Sequence, residues 1–352
     1  MIRIAINGFG RIGRAFFRAA EQRGGEIEIV AINDLGDLEN VAYLLAYDTV
    51  YGRAPFEVRA DPAHPSEGAG SEQAIIAGGK RVRFLSERDP SILPWGELGV
   101  DVVVEATGVF DSYEKSRAHL TAGAKRVVVT APMKDAPPED IGGATVLMGV
   151  NDEALKDCVI SSNASCTTNA ASPVIQILHE KIGIKKALLN TVHAYTATQA
   201  IVDSPAAKDF RRGRAAAQNI IPSSTGAAIS VTEAIAELKD KFDGIALRVP
   251  VVAGSIADIT FLAARETNIE EVNGILRSAA GEERWTKVFS ITDEPIVSSD
   301  IVGSIYASIT DLSMTRVVAG DLVKVLAWYD NEMGYAHSLV EHVLKSGQYA
   351  RP

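Results

Sequence analysis

The first 34 residues constrain this chain more than any other stretch of it. MIRIAINGFGRIGRAFFRAAEQRGGEIEIVAIND reads as a strand, a glycine turn, a helix, a break at RGGE and a second strand. That is the order and length of a βαβ unit, so the chain opens with a parallel sheet. Gly8, Gly10 and Gly13 spell G-x-G-x-x-G between the strand and the helix, and Asp34 ends the next strand 21 residues after Gly13. Gly8 permits the tight turn, Gly10 lets a pyrophosphate approach the backbone, and Gly13 allows the helix to pack on the strand. The helix N-terminus then carries the phosphate charge. An aspartate at position 34 accepts hydrogen bonds from ribose hydroxyls and repels a 2′-phosphate, which points to NAD rather than NADP.

GVDVVVEATG and AKRVVVTAP are further short β-branched runs ending in turns, as buried parallel strands do, and they extend the same sheet. Between them and the first unit, residues 60–73 form a long Pro-, Gly- and Ser-containing stretch without periodicity, read as an exposed loop. The second half alternates differently. KALLNTVHAYTAT, GIALRVPVVAGSIADITFLAA, VSSDIVGSIYASIT and TRVVAGDLVKVLAWYD read as longer strands, with helices expected at TEAIAELKDKF, NIEEVNGILRSAAGE and YAHSLVEHVLKS. This half is expected to be more antiparallel, in the α+β style. A length of 352 residues, 47% of them hydrophobic and 23% charged, fits two globular domains with a boundary near residue 166.

SSNASCTTNAASPVIQILHEKIG places Cys166 where a polar turn meets an apolar helix. Unpaired backbone N–H groups and the positive end of the helix dipole favour a thiolate there. TVHAYT follows, with His193 27 residues after Cys166 in a strand-like run, and a cysteine nucleophile with a histidine base is a working pair. Taken alone, the two also fit a buried inert cysteine and a strand histidine. Only Cys158 and Cys166 are present, too few for a disulfide framework, which suits a reducing compartment. With no basic leader, cleavage site or membrane-length apolar segment, a cytoplasmic protein with no membrane association is expected. The net charge of −10 disfavours nucleic-acid binding, and no dedicated site for it is evident. No metal site is expected.

INGFGRIGR, INDL, YDTVYGR, ERDP, EATGVF, TAPMKD, SNASCTTN, TVHAYTATQ, RRGRAAAQNIIPSSTGAA, LRVPV and WYDNEMGY run through the chain in this order. In sequence and order they resemble the phosphorylating glyceraldehyde-3-phosphate dehydrogenase family, nearly end to end. The resemblance implies an α/β fold: a Rossmann-type parallel-sheet NAD domain, residues 1–165 with a C-terminal helix 333–352, and an α+β catalytic domain, residues 166–332, on a mostly antiparallel sheet. It implies that Cys166 is the nucleophile and His193 its base. Arg248 and Thr196 resemble the pocket for the sugar phosphate, while Ser165, Thr167, Thr225 and Gly226 offer hydroxyl and backbone donors to the attacking phosphate. Asn331 is expected to hold the nicotinamide carboxamide, with Asn7, Gly8, Gly10, Arg11, Ile12, Gly13, Asp34, Thr107, Gly108 and Thr130 as further cofactor-binding residues. The implied partners are glyceraldehyde 3-phosphate, inorganic phosphate and three further copies in a homotetramer, with residues 197–219 near a neighbour's cofactor. Arg211, Arg212 and Arg214 fit a solvated or inter-subunit basic segment at least as well as a substrate contact, and stay outside the catalytic set. Three features depart from the family pattern: Ala170 where a second cysteine is common, Met333 where tryptophan is commoner, and the length of the 60–73 stretch.

The chemistry follows from the residue types. A thiolate added to an aldehyde makes a thiohemiacetal that expels hydride readily, and the resulting thioester passes its acyl group to phosphate. The family resemblance implies that the reaction is the NAD-dependent oxidative phosphorylation of glyceraldehyde 3-phosphate to 1,3-bisphosphoglycerate, a step of glycolysis and gluconeogenesis. Erythrose-4-phosphate dehydrogenase, or another phosphorylated-aldehyde dehydrogenase, is the alternative that uses the same thiol chemistry. TVHAYTATQ and SSTGAA favour the three-carbon substrate, and the SSTG turn argues against a nonphosphorylating enzyme. A non-catalytic NAD-binding redox sensor is disfavoured by the presence of both His193 and Arg248.

Overall fold

The computed structural model describes residues 1–62, 72–207 and 209–350. The chain divides into two compact units, one of Met1–Val146, Glu153–Asn163 and Leu339–Pro352, the other of Leu147–Asp152 and Ala164–Ser338. The first unit holds a nine-stranded sheet. Its order is Gly143–Thr145, Ile160–Ser162, Arg126–Val129, Val102–Glu105, Ile2–Asn7, Ile27–Asn33, Lys80–Leu85, Ala74–Ala77 and Val58–Asp61. All neighbours are parallel as far as Lys80–Leu85, and the last two strands add antiparallel to that edge. Val102–Glu105 and Arg126–Val129 are buried along their whole length, which is why they read as unbroken apolar runs. Ile2–Asn7 has Val102–Glu105 on one side and Ile27–Asn33 on the other, so the strand order reverses at its carboxyl end. A crevice for a ligand opens at such a reversal.

Helices α1 (Arg11–Glu21), α2 (Leu38–Ala46) and α3 (Tyr113–Thr121) lie wholly in this unit. Asp37 caps α2 through the Asn40 N–H, and Ser112 caps α3 through the Lys115 N–H. α1 has neither a side-chain cap nor an acidic residue in its first turn. Gly8 has φ +92°, and a Cβ there would stand 2.6 Å from the Thr107 nitrogen. A Cβ on Gly13 would overlap the Gly8 carbonyl oxygen, whereas one on Gly10 meets no protein atom within 4 Å.

The second unit is built on a seven-stranded mixed sheet ordered Ile221–Ser224, Phe242–Val249, Ile184–Ala194, Ser255–Ala263, Leu322–Tyr329, Ser308–Val318 and Phe289–Thr292. Its pairings are antiparallel except for Ile184–Ala194 with Phe242–Val249 and Phe289–Thr292 with Ser308–Val318. Helices α4 (Cys166–Ile182), α5 (Ala227–Ala234) and α6 (Ile269–Ala280) are buried against the sheet in a core containing Val174, Leu178, Val231, Ile259, Leu276 and Val325. Alternation along the strands leaves Leu188 and Ile245 exposed. α7 (Met333–Gln348) begins in this unit and ends in the first.

Several elements differ from their sequence reading. GIALRVPVVAGSIADITFLAA is two strands broken at Pro250 and Gly254 (φ +87°), which flank the His193 strand on opposite sides. TRVVAGDLVKVLAWYD turns at Ala319 and Gly320, both at positive φ, into a hairpin. VSSDIVGSIYASIT is a strand only from Ser308. Its first part is turned by the Asp300 carboxylate accepting the Val297 N–H and by Gly303 at φ +83°. α5 ends at Ala234, so most of TEAIAELKDKF lies beyond it. In the 60–73 stretch, Ala60 and Asp61 close an edge strand paired with Ala74–Ala77, and residues 63–71 lie outside the described residues.

Replacing Gly13 by alanine should lower the unfolding free energy by about 1–3 kcal/mol, because the added methyl overpacks a helix–loop contact that cannot relax. Gly10→Ala should change it by less than about 1 kcal/mol, the ordinary range for this N-cap exchange. Urea unfolding of the two variants measures the difference; equal losses would contradict the packing role of Gly13.

Candidate active site

Ala164, fully buried at φ +52°, turns the chain sharply before α4. An alanine in this region is strained, and such strain persists where the surroundings enforce it. Here the Tyr335 hydroxyl holds the Ala164 carbonyl at 3.0 Å. Ser165 is the N-cap, its Oγ accepting the Thr168 N–H at 3.1 Å and lying 2.8 Å from Thr168 Oγ1. Cys166 is therefore the first residue of the helix, with no acidic side chain in the first turn to oppose a negative sulfur. Burial pushes the Cys166 thiol pKa up, while Arg248 and the amide and hydroxyl of Thr167 pull it down.

His193 lies near the end of Ile184–Ala194, and its Nε2 stands 3.4 Å from Cys166 Sγ. The parallel register sets Arg248 directly beside His193 on the next strand. His193 Nδ1 has the Ala194 carbonyl at 2.6 Å, an acceptor for Nδ1–H, and an Arg248 N–H, a donor for the unprotonated nitrogen. Both tautomers thus have a partner, and when Nδ1–H faces the carbonyl, Nε2 presents a lone pair to the thiol. Burial, with Arg248 adding to it, lowers the imidazole to about 3. The Tyr329 ring meets the imidazole edge-on at 5.9 Å, and its buried hydroxyl is fixed by Thr167 Oγ1 at 2.9 Å and Thr191 Oγ1 at 2.7 Å. Tyr329 was not singled out by the sequence reading; its partners are far away along the chain.

The expected phosphate ligands fall into two kinds. Arg248, half-buried and lowered by that burial, lies beside His193, and Arg212 is close enough to depress it further. Arg212 donates to Ser223 Oγ at 2.7 Å and lines a cavity of about 750 Å³ with Thr198, Gln199, Ser204 and Ser224. The basic segment left aside on sequence grounds thus brings one arginine to the neighbourhood of Arg248. The hydroxyls are already engaged locally: Ser165 in the α4 cap, Thr167 with Tyr329, Thr196 with Thr198 and Gln199, and Thr225 with the Ala227 N–H. Gly226 is exposed beside Thr225. Asn331 Oδ1 accepts the Gly254 N–H at 3.1 Å and the Ser255 hydroxyl at 3.0 Å, which fixes the orientation of its amide.

In the first unit, Asn7, Gly8, Gly10, Asp34 and Thr107 line a cavity of about 530 Å³ at the carboxyl ends of the central strands. Leu35, expected beside the ribose next to Asp34, lines it too, as do Glu87, Arg88, Val109 and Phe110, to which no role was assigned. Asp34 accepts the Phe9 N–H at 2.6 Å and the Gly36 N–H at 2.8 Å, one on each oxygen, leaving further lone pairs for hydroxyl donors. Arg11 pairs with Asp48, Ile12 follows it in the first turn of α1, Gly108 has φ +70°, and the Thr130 N–H is held by the Glu105 carbonyl. An uncapped helix start, open space at Gly10 and an acceptor at Asp34 fit a dinucleotide with free ribose hydroxyls. Among the described residues no group of His, Cys, Asp or Glu could hold a metal ion, and no helix is long and apolar enough to cross a membrane.

The two thiols should differ in reactivity. Cys158 is buried, which pushes its pKa up to about 11, so its thiolate fraction at pH 8 is about a thousandth. Native protein treated with iodoacetamide at that pH should take up one label per chain, on Cys166, with Cys158 labelled only after unfolding. Peptide mass mapping reads this, and rapid native labelling of Cys158 would contradict it.

Residues 2–113 match the model of the glyceraldehyde 3-phosphate dehydrogenase NAD binding domain, and residues 165–331 that of the C-terminal domain of the same enzymes. The chain is 48% identical over 349 residues to glyceraldehyde-3-phosphate dehydrogenase 1 of Streptomyces avermitilis, covering 98% of each chain. It is 48% identical to the glyceraldehyde-3-phosphate dehydrogenase of Thermotoga maritima, over 97% of this chain and 98% of that one. With that of Mycobacterium avium it shares 44% over 99% of both. Similarity of this extent over both units, with Cys166 and His193 in contact, shows that the chain belongs to the glyceraldehyde-3-phosphate dehydrogenase family.

Proposed function

We propose that this chain oxidises glyceraldehyde 3-phosphate with NAD and inorganic phosphate, giving 1,3-bisphosphoglycerate through a thiohemiacetal and a thioester on Cys166. The observation that carries the reading is the contact of Sγ with Nε2 at the N-terminus of α4. A lone thiolate and a lone imidazolium each meet a desolvation penalty here. Moving the thiol proton to Nε2 creates both charges side by side with no net charge, next to the helix amides. Sγ then attacks the aldehyde carbon, and the imidazolium proton neutralises the oxyanion. NAD, when bound, supplies the hydride acceptor. As the hydride departs, Nε2 takes the hydroxyl proton back and a thioester remains. A phosphate oxygen attacks the thioester carbon, the C–S bond breaks, and the thiolate is restored.

Two anions must be bound for this sequence. Arg248 and Thr196 are assigned to the substrate's own phosphate, and Thr225, Gly226, Ser165 and Thr167, with their hydroxyl and backbone donors, to the attacking one. Arg212, lying near Arg248, is added to the anion site. Asn331 is assigned to the nicotinamide carboxamide, and Asn7, Gly8, Gly10, Arg11, Ile12, Gly13, Asp34, Thr107, Gly108 and Thr130 to the rest of NAD. We further infer a homotetramer, a cytoplasmic location and a functional domain division at residues 165/166 and 332/333, within a few residues of where the compact units part after Asn163 and Ser338. Exposed Leu188 and Ile245 on the sheet, with Ile201, Val202, Phe210 and Ile220 exposed in the connecting segment, supply apolar surface for contacts between copies. Two free thiols suit a reducing compartment.

The test is NADH formation from glyceraldehyde 3-phosphate. Steady turnover should require phosphate or arsenate, with a first-turnover burst alone in their absence. Cys166→Ser should abolish both burst and turnover while leaving NAD affinity within about threefold, since the dinucleotide residues lie mainly in the first unit. Phosphate-independent steady turnover, or an active Cys166→Ser enzyme, would overturn the reading.

A further inference from the structure

A buried polar chain lies beneath the dinucleotide cavity, and none of the steps above uses it. It starts from Glu105, which closes a strand of three valines and is 1% exposed. A carboxylate so deep is tolerated only when its lone pairs are filled. Glu105 Oε1 accepts the Thr107 N–H at 2.8 Å and the Thr107 hydroxyl, and Oε2 accepts the Asn7 amide at 2.6 Å. The fourth partner is His119 Nε2, at 3.0 Å. The tautomer follows from the next link. Trp95 Nε1–H, which can only donate, points at His119 Nδ1 from 3.0 Å. Nδ1 is therefore the acceptor, Nε2 carries the proton, and His119 is a neutral imidazole donating to Glu105.

The other end of the chain reaches the cavity. Asn7 stands in register between Asn33 and Glu105 on the neighbouring strands, and its Oδ1 accepts from Asn33 at 2.7 Å. Asn33 in turn clasps the Glu87 backbone through both its amide atoms. Asn7, Asn33, Glu87 and Thr107 all line the cavity, while Glu105, His119 and Trp95 do not. One carboxylate thus ties the glycine loop after Asn7 to the loop of Thr107, whose backbone Gly8 approaches too closely for any side chain.

We propose that Glu105 is a positioning residue for NAD, setting the cavity through Asn7 and Thr107, and that His119 and Trp95 hold Glu105 in its acceptor geometry. The proposal rests on the assignment of NAD to this cavity. Its weight falls on cofactor affinity, because no member of the chain belongs to the second unit.

In Glu105→Gln an N–H group must replace one acceptor oxygen and meet a donor, so the net breaks at one loop or the other. The dissociation constant and the KM for NAD should rise about 10- to 100-fold, the usual consequence of an unmet buried donor. The KM for the aldehyde and kcat at saturating NAD should stay within about threefold. His119→Leu removes the donor from a site outside the cavity and should weaken NAD about tenfold, whereas His119→Gln restores an N–H and should return affinity to within about threefold of wild type. The readouts are calorimetric NAD titration and steady-state kinetics on variants whose circular dichroism matches wild type. If Glu105→Gln does not fold, the His119 pair decides. Wild-type NAD affinity in folded His119→Leu, or equal weakening by His119→Leu and His119→Gln, overturns the proposal. Failure of the wild-type protein to bind NAD in the same titration would instead remove the assignment of the cavity.

Discussion

The chemistry proposed for this chain depends on a contact of 3.4 Å between Cys166 Sγ and His193 Nε2. Neither group is suited to its role alone, since burial favours the neutral form of each. Held together they need no net charge, and a proton moving between them converts an inert thiol into a nucleophile. The helix supplies amides at one side of the sulfur, and the strand register supplies Arg248 beside the imidazole. A structure that kept each residue but displaced strand against helix would lose the pair. This gives a purpose to the strained Ala164, the Ser165 cap and the buried Tyr329 hydroxyl, which together fix the helix start and the second unit's sheet to one geometry.

The first unit solves a different problem with similar means. A dinucleotide needs backbone groups held close to it, and loops are the least constrained part of a fold. Here the loops are tied at their roots. Asn33, Asn7 and Glu105 stand side by side on three parallel strands at the end where the strand order reverses, and their side chains bond across the row. The parallel sheet is thus both the scaffold and the clamp, and the cavity residues inherit its rigidity.

Much of this was legible in the sequence because it is local. The strand–glycine–helix start, Asp34 at the end of the next strand, the helix after Cys166 and the His193 strand each announce themselves within a few residues. Composition does not mark a short break that changes strand partners, as at Pro250, at the Ala319–Gly320 turn and before Ser308. Residues joined over long separations were missed as well. Glu105 meets Asn7 across 98 positions and Tyr329 meets Thr167 across 162, and nothing in a hydropathy pattern marks such a pair. The oxygens of Ser165 and Thr225 accept backbone N–H groups at helix starts, a second role that motif spacing does not reveal and that leaves each O–H free to donate.

If proton transfer within the Cys166–His193 pair makes the nucleophile, the ultraviolet absorbance of the thiolate reports it. The pH-dependent absorbance of the wild-type protein minus that of Cys166→Ser isolates this one sulfur. Thiolate is expected at neutral pH in wild type and, in His193→Asn, only at alkaline pH, because the mutant deprives the buried charge of its imidazolium partner. Identical profiles for wild type and His193→Asn would contradict it.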